Sequence, residues 1–568
     1  MFRRFPRFLR AFGVFSSTAM IAAACGSGSS PTNTQTTSSI KNGGAVTFAI
    51  DETIPGFNIN TSADSEFVLQ EVMNWIWPQT FIITPSLKPV LNTQFVTSAV
   101  VTSTSPETIV YKINPKAVWS DGVPITAADF IYNWQAQSGN PQYTDVGGKA
   151  YDDASTTGYQ DISSVTGSNG GHTVTVVFKT QFGDWQSLFG NIVPAHIAKV
   201  VGWNTGFTDY TKVISGGPYM ITNYVKDQTI TLAENPRWWG TKPHLNTIVV
   251  RILSADSAGA PALQNNEVQI FQPSSPDINE VDQTKAIPAV TSKLLGGLEF
   301  EHFDFNQANF YLAQLPVRQA IAYGTNRQQI IQKTVGEFDP AIKPLGSRLY
   351  VPGQPQYVDN GTQYATVNVA KAKSLLEGAG MKMGTDGYYQ PTTGPLAGKD
   401  LSFTISSTSG QLLRADTEQI FQANMQAIGI KINIQNYPAA QFFGTNLPGG
   451  NFDIAEFAWV ATPFASSNQP LYCSYTSATL CGENWNHFAN AQVDSLLNQA
   501  IASVSTTDAA KLYNQVDTIL WQQMVTLPLY QKPQLHSWYT KYVNVIPNIS
   551  SVGDTWNAPD WGLKASAS

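Results

Sequence analysis

The chain has 568 residues, room for about four units at roughly 150 residues each, and its 42% hydrophobic and 11% aromatic content excludes a largely disordered polypeptide. Charged residues make up only 13%, a low share that suits the polar, weakly charged surface of an exported protein. The net charge of −7 becomes −11 once residues 1–24, with four arginines and no acid, are set aside, and an acidic body without a basic stripe excludes nucleic acid as a partner.

Residues 1–24 read as an export signal, basic to Arg10 and then apolar to Ala24. The run Ala22-Ala23-Ala24-Cys25 resembles a bacterial lipobox, with Ala22 where Leu is usual. Cys25 is then expected to become the first mature residue and to carry lipid, an ordinary secretory signal cleaved near Ala24 being the other reading. Residues 25–42 follow as a lipidated polar tether, low in complexity and unable to build a core. Its seventeen residues after the Cys span ~60 Å at full stretch. No later stretch offers about 18 consecutive apolar residues. Membrane contact is therefore expected through lipid alone, on the outer face of the cell membrane or in the periplasm.

The mature part opens with an apolar strand over 43–50, and a second strand, alternating apolar and polar, is expected over 108–113. After the turn Trp119-Ser120-Asp121-Gly122, Thr126 caps a helix while Asp129 reaches back, and Phe130, Ile131 and Trp134 share its apolar face. Strands are expected over 172–178, 219–224, 229–232 and 245–253, interrupted by the Pro- and Trp-rich block 235–240. The pattern then predicts a helix over 317–323, a second one capped by Thr325 or Asn326, a third over 370–379 stopped by Gly380, and a long helix over 412–428 stopped by Gly429. Ile430, Ile432 and Ile434 alternate as a strand directly afterwards. The chain is mixed α/β. In an exported context Cys473 and Cys481 are expected to form a disulfide closing a small loop, with reduced thiols as the other reading.

Constellations for covalent chemistry are absent from the sequence. There is no His-Glu-x-x-His and no Gly-x-Ser-x-Gly. The six histidines, at 172, 196, 244, 302, 487 and 536, are far apart, so neither a metal site nor a cofactor is expected. The stretch Gly394 to Asp400 has one residue too few for a phosphate loop, and Asp400 stands where Ser or Thr would hold magnesium. Binding rather than catalysis is the expectation.

Five blocks in order carry a family resemblance. They are residues 110–135 with their Trp-Ser-Asp-Gly turn, Gly217-Pro218-Tyr219 with Asn235-Pro236-Arg237-Trp238-Trp239-Gly240, Phe305-Asn306 with 317–323 and Asn326-Arg327, residues 370–380, and Phe452-Asp453-Ile454 with Trp459 and 493–497. Together they resemble the extracytoplasmic solute-binding proteins of ABC importers, in the oligopeptide, dipeptide and nickel class (family 5). The resemblance implies an α/β, two-lobed periplasmic-binding-protein-like clamp of class II type, with an additional domain on the first lobe. Lobe 1 is expected at 43–90, 210–265 and 525–568, the extra domain at 91–209, and lobe 2 at 266–524.

The resemblance also implies a monomer that is not an enzyme, encloses a small ligand between its lobes and delivers it to an ABC permease and ATPase complex. Trp119, Trp238 and Trp239 are expected to fix turns, and Arg318 to pair with a carboxylate inside lobe 2. Ligand-lining roles fall on Trp459, Thr462, Phe464 and Asn306. The family's peptide binders follow the aromatic at Trp459 with Ala-Asp, whose carboxylate takes the peptide's ammonium, whereas this chain has Ala461-Thr462. Glu456 or Asp453 could supply the missing charge. A short peptide is the expected ligand. The alternatives are a neutral ligand such as an oligosaccharide, an envelope regulatory protein on the same scaffold, or a secreted hydrolase.

Overall fold

A computed structural model describes residues 40–253, 258–475 and 481–565. The export signal over 1–24, Cys25 and the tether up to residue 39 lie outside the described residues. The end of the expected tether belongs to the fold instead. Ile40, the first aliphatic side chain after Cys25, starts a short ladder in which Ile40–Lys41 pairs antiparallel with Gly562–Lys564.

The first long strand, β1 (Ala45–Ile50), is followed by the extra domain. Its strands β2 (Val96–Thr104) and β3 (Glu107–Ile113) precede helix α1 (Ala127–Gln137), and β4 (Ile162–Ser168) and β5 (Thr173–Phe178) complete an antiparallel sheet in the order β2-β3-β5-β4. The N-terminus of α1 carries the expected capping box: the Thr126 hydroxyl accepts from Ala128 N, and Asp129 Oδ2 accepts from Thr126 N at 2.9 Å. Trp119 is fully buried, while Trp238 and Trp239 pack on each other with ring centroids 4.5 Å apart.

Strands β6 (Tyr219–Val225), β7 (Thr229–Glu234), β8 (Thr247–Ile252) and β9 (Ile270–Phe271) return the chain to lobe 1. The long strand β10 (Val290–Phe305) then crosses into lobe 2, where α2 (Leu315–Gly324), α3 (Arg327–Lys333), α4 (Val369–Gly378), β11 (Ser402–Ser406), α5 (Leu412–Ala427), β12 (Lys431–Ile434) and β13 (Ile454–Val460) build a second apolar core. Asn326 caps α3, accepting from Gln329 N. Gly380 and Gly429 both take a φ of +81° at the ends of their helices, a conformation that a side chain would resist. Helices α6 (Ala491–Ala502) and α7 (Thr506–Gln522) lead into β14 (Thr526–Tyr539), which runs back to lobe 1.

Because β10 and β14 traverse both lobes, one ten-stranded sheet, in the order β12-β11-β13-β10-β14-β9-β1-β8-β7-β6, spans the clamp. The two strands pair from Val290 with Tyr539 to Gly296 with Pro533, break, and resume from Phe300 with Gln531 to Asp304 with Thr526. The lobes therefore meet in mid-strand, at Gly296–Glu299 and Lys532. The extra domain also touches lobe 2: Gly183 N donates to Ile501 O at 2.7 Å, and Ser466 N donates to Asp184 Oδ2 at 3.1 Å.

Candidate ligand-binding site

Strand β13, sequence Ile-Ala-Glu-Phe-Ala-Trp-Val, pairs antiparallel with β10 so that Phe457 opposes His302 and Trp459 opposes Phe300. Directly opposed residues share a sheet face, and this face is aromatic. Trp485 extends it, stacking on Trp459 with centroids 5.2 Å apart at 27° and packing on Phe457 at 5.5 Å, and Phe443 adds its ring 6.0 Å from Phe457. His302 lies against Phe457 at 4.4 Å and Trp459 at 5.8 Å. Burial pushes its pKa down to about 3, so it serves as a neutral aromatic filler. Among the described residues no group of three His, Cys, Asp or Glu side chains could hold a metal ion.

Alternation along the strands puts Glu301 and Glu456 on the other face. Glu301 is gripped there by Arg414 Nη2 of α5 at 2.9 Å. Burial, together with the charges of Glu301 and Glu418, pushes the Glu456 carboxyl well above its ordinary range and keeps it neutral. Asp453 accepts from Asn309 Nδ2 at 2.8 Å and from Thr404 N at 2.9 Å. Neither Glu456 nor Asp453 lines the cavity.

The aromatic face forms one wall of a cavity of about 850 Å3, within the roughly 300–1,000 Å3 common for small-ligand sites. Lobe 1 supplies Ser62, Ser65 and Glu66, the extra domain supplies Asp153 to Thr157, and lobe 2 supplies Phe300, Phe443, Phe457, Trp459, Glu483 and Trp485. A smaller chamber of about 330 Å3 shares Ala154, Ser155, Thr157 and Ser467 with it, and continues between Gln70, Gln79, Tyr159, Asn191, Thr462 and Phe464.

Among the described residues the titratable groups along the larger cavity are all acids, Glu66, Asp153 and Glu483, with no Lys, Arg or His in its lining. Burial, reinforced by the neighbouring Asp152, pushes Asp153 up to about 8, and its Oδ1 is buried without a hydrogen-bond partner. Burial alone pushes Glu483 up to about 7. Glu66 is raised by burial and by Asp64. Asp152, next to Asp153, instead accepts from Ser62 N at 3.3 Å and holds the lobe 1 turn against the extra domain.

Of the residues singled out in the sequence, Trp459 lines the larger cavity, and Thr462 and Phe464 line the smaller chamber. The Thr462 hydroxyl is engaged within its own turn, accepting from Phe464 N at 3.1 Å and contacting Phe464 O at 2.9 Å and Ser467 Oγ at 3.0 Å. The structure does not bring Asn306 to either chamber. Asn306 is buried, and its Nδ2 donates to Gly450 O and Phe452 O, fixing the turn that leads into β13.

Arg318 departs from expectation as well. Among the described residues it meets no carboxylate, and it donates to Leu312 O at 2.6 Å, Gln523 O at 2.8 Å and Met524 O at 3.0 Å. The last two carbonyls stand just past the C-terminus of α7, where the helix dipole favours a cation. Lobe 2's fully buried guanidinium–carboxylate pair is Arg348 with Asp517, 3.2 Å apart.

Asp153, Glu483 and Trp485 escaped the sequence reading. The signal for the last two was their position just after Cys481, which is disulfide-bonded to Cys473. The fully buried Asn484 fixes the loop between them, donating from Nδ2 to Cys473 O at 2.5 Å and to Phe488 O at 2.8 Å. Loops held on a rigid frame are where binding residues concentrate.

Residues 91–479 match the model of the bacterial extracellular solute-binding proteins, family 5 Middle. The oligopeptide-binding protein OppA of Mycobacterium tuberculosis is 31% identical over 510 residues, covering 88% of this chain and 82% of that protein. The probable monoacyl phosphatidylinositol tetramannoside-binding protein LpqW of the same species is 26% identical over 397 residues, or 68% of this chain and 60% of that one. Among solved structures, the periplasmic EDTA-binding protein EppA superposes with a TM-score of 0.85 at 25% identity, covering 95% of this chain and 99% of that chain. The oligopeptide-binding protein AppA of Bacillus subtilis, in complex with a nonapeptide, gives a TM-score of 0.78 at 19% identity over 92% and 99%.

Proposed function

The chain belongs to the family 5 bacterial extracellular solute-binding proteins, and from that premise we propose that it captures short peptides for an ABC importer. In this reading the protein is a monomer held to the membrane by lipid on Cys25, and it delivers its ligand to a permease and ATPase complex by reversible enclosure without covalent chemistry. Ligand closes the lobes about the β10 and β14 crossing, and the closed form is the one that a permease recognises.

The observation that carries the proposal is the cavity between the lobes, with an aromatic wall on one side and the unpartnered Asp153 on the other. An isolated buried carboxylate is strongly disfavoured, and a peptide ammonium supplies the missing cation. The carboxylate that the family's peptide binders carry after Trp459 is thus replaced in function by one from the extra domain. The Trp459 and Trp485 surfaces accept side chains of varied shape, as a general peptide binder requires. An anionic chelate such as the one for which EppA is named fits this lining poorly, because no cation among the described residues faces the cavity. A neutral glycan is the second reading. The flat aromatic wall and protonated carboxyls suit its hydroxyls, and LpqW is named for a mannoside ligand.

Thermal-shift and calorimetric titration with tri- to pentapeptides, their N-acetylated forms, oligosaccharides and EDTA chelates tests the proposal. Free peptides are expected to stabilise the protein by about 2.7 kcal/mol at a hundredfold excess over Kd, and acetylation to weaken them at least tenfold. Stabilisation by oligosaccharides with none by peptides would replace the first reading by the second. Loss of lipid labelling in Cys25→Ser checks the anchor.

A further inference from the structure

Two of the cavity's acids come from different parts of the clamp. Asp153 belongs to the extra domain. Glu483 belongs to lobe 2, on the loop that Cys473–Cys481 and Asn484 hold beside the aromatic wall. Glu483 is partly accessible and lines the cavity, and among the described residues its carboxylate has neither a hydrogen-bond nor an ion-pair partner. Two residues further on, Trp485 presents its ring to the same cavity, stacked on Trp459. A carboxylate beside indole rings is a favourable setting for an organic cation, since the ring faces attract positive charge while the carboxylate neutralises it.

Several buried carboxylates elsewhere in lobe 2 have partners, and those of Asp304 and Glu456, whose buried oxygens lack a hydrogen-bond partner, do not line the cavity as Glu483 does. Glu301 has Arg414 and Lys532, Asp517 has Arg348, and Glu418 accepts from Asn436 Nδ2 at 2.7 Å. Glu483 has no counterpart of this kind, and burial alone has raised its pKa to about 7, so a cation arriving in the cavity gains a full ion pair by displacing a loosely held proton.

We propose that Glu483, which lines the cavity together with Trp459 and Trp485, is a subsite for a basic side chain, so that the preferred ligands are peptides carrying lysine or arginine in addition to their free ammonium. The subsite rests on the peptide reading above and narrows it from short peptides in general to basic ones.

Calorimetric titration of the full chain at pH 7.5 with three peptides identical except for one position, holding lysine, acetyl-lysine or norleucine, tests it. The wild type is expected to bind the lysine peptide at least tenfold more tightly than the other two. Glu483→Gln is expected to bring the three within about threefold of one another. Equal wild-type affinities for lysine and norleucine, or a preference that survives Glu483→Gln, would overturn the subsite and leave peptide capture intact. If none of the three peptides binds, the peptide reading falls and the subsite falls with it. Should Glu483→Gln fold poorly, proton release answers instead. Titration of the wild type at pH 6.5 in two buffers of different ionisation enthalpy is expected to show protons released by the lysine peptide beyond those released by the norleucine peptide, and equal release would count against the subsite.

Discussion

The crossing between the lobes and the cavity beside it both bury carboxylates, but only the crossing supplies their cations. At the crossing, Lys532 Nζ lies 3.0 Å from Glu299 and 3.9 Å from Glu301, and Arg414 Nη2 lies 2.9 Å from Glu301. Burial would raise Glu301, but Arg414 and Lys532 outweigh it and hold the carboxyl below its ordinary range. In the cavity the same burial acts unopposed, taking Asp153 to about 8 and Glu483 to about 7. A charge whose counter-ion is encoded in the chain is architecture. One that lines the cavity without a counter-ion is, under the proposed function, completed by the ligand, and substitutions on the two sides should therefore have opposite signs.

The largest effect belongs to the architectural side. Arg414→Met leaves Glu301 buried with only the more distant Lys532, and removing one partner of a buried pair costs about 3–5 kcal/mol. Chemical denaturation at pH 7 measures it. Glu301 is depressed in the folded state, so its stabilisation is present above its unfolded value near 4.5 and is lost as pH falls through the folded value. The variant is expected to lose that acid-side dependence. A stability unchanged from wild type would remove the crossing from the comparison.

On the cavity side, Trp459→Ala should reduce peptide affinity by about 10- to 100-fold, equivalent to about 1.4–2.7 kcal/mol. The ligand-free melting temperature should move by only a few degrees, because Trp459 is only partly buried. A large loss of stability with affinity retained would make it a core residue instead.

Asp153→Asn reverses the sign of the Arg414 result. The folded pKa of about 8 lies above the ordinary 3.8, so between these values the folded state holds the extra proton and wild-type stability falls as pH rises from about 4 to about 8. The titratable groups that act on it or feel it are Asp152, Tyr151 and Tyr159, and among the described residues that line the cavity, Glu66 and Glu483 included, there is no base to offset it. The amide is expected to stabilise the ligand-free protein by about 1–3 kcal/mol at pH 8 while weakening free peptides at least tenfold. Denaturation and titration on the same preparation report both. A variant less stable than wild type at pH 8 would mean that Asp153 has a structural partner after all.

Local chemistry made much of the fold legible in the sequence. Thr126 with Asp129, Asn326, Gly380 and Gly429 each act through neighbours within a few residues, and each appears in the structure where its spacing put it. Arg318 was misread because a buried guanidinium can be satisfied by carbonyls, and which ones depends on where α7 ends, some 200 residues away. The cavity was legible only through Trp459. Glu66, Asp153 and Glu483 come from three separate regions that converge only when lobe 1, the extra domain and lobe 2 close together, and no short motif records that convergence. The smaller chamber shows the same limit: Thr462 marks a departure from the family pattern, but the pattern says nothing of the extra domain, where the proposed function puts the replacement carboxylate.

Thr462→Val carries the smallest expected effect and separates those two sources of charge. The hydroxyl accepts from Phe464 N and lies against Ser467 Oγ, and the next turn is docked to the extra domain through Ser466 N and Asp184. With the loop held from both sides, loss of one hydrogen bond should lower stability by about 1 kcal/mol and change free-peptide affinity less than twofold. Titration with the same peptide and its acetylated form decides between the candidates. If Thr462→Val instead abolished the preference for a free ammonium, the acceptor would be this hydroxyl, and Asp153 would lose the role that its unpaired oxygen supports. If the preference persists in Thr462→Val and vanishes in Asp153→Asn, the ammonium site has moved from the strand end of lobe 2 to the facing wall of the extra domain, which makes closure of the clamp a condition for binding the charge at all.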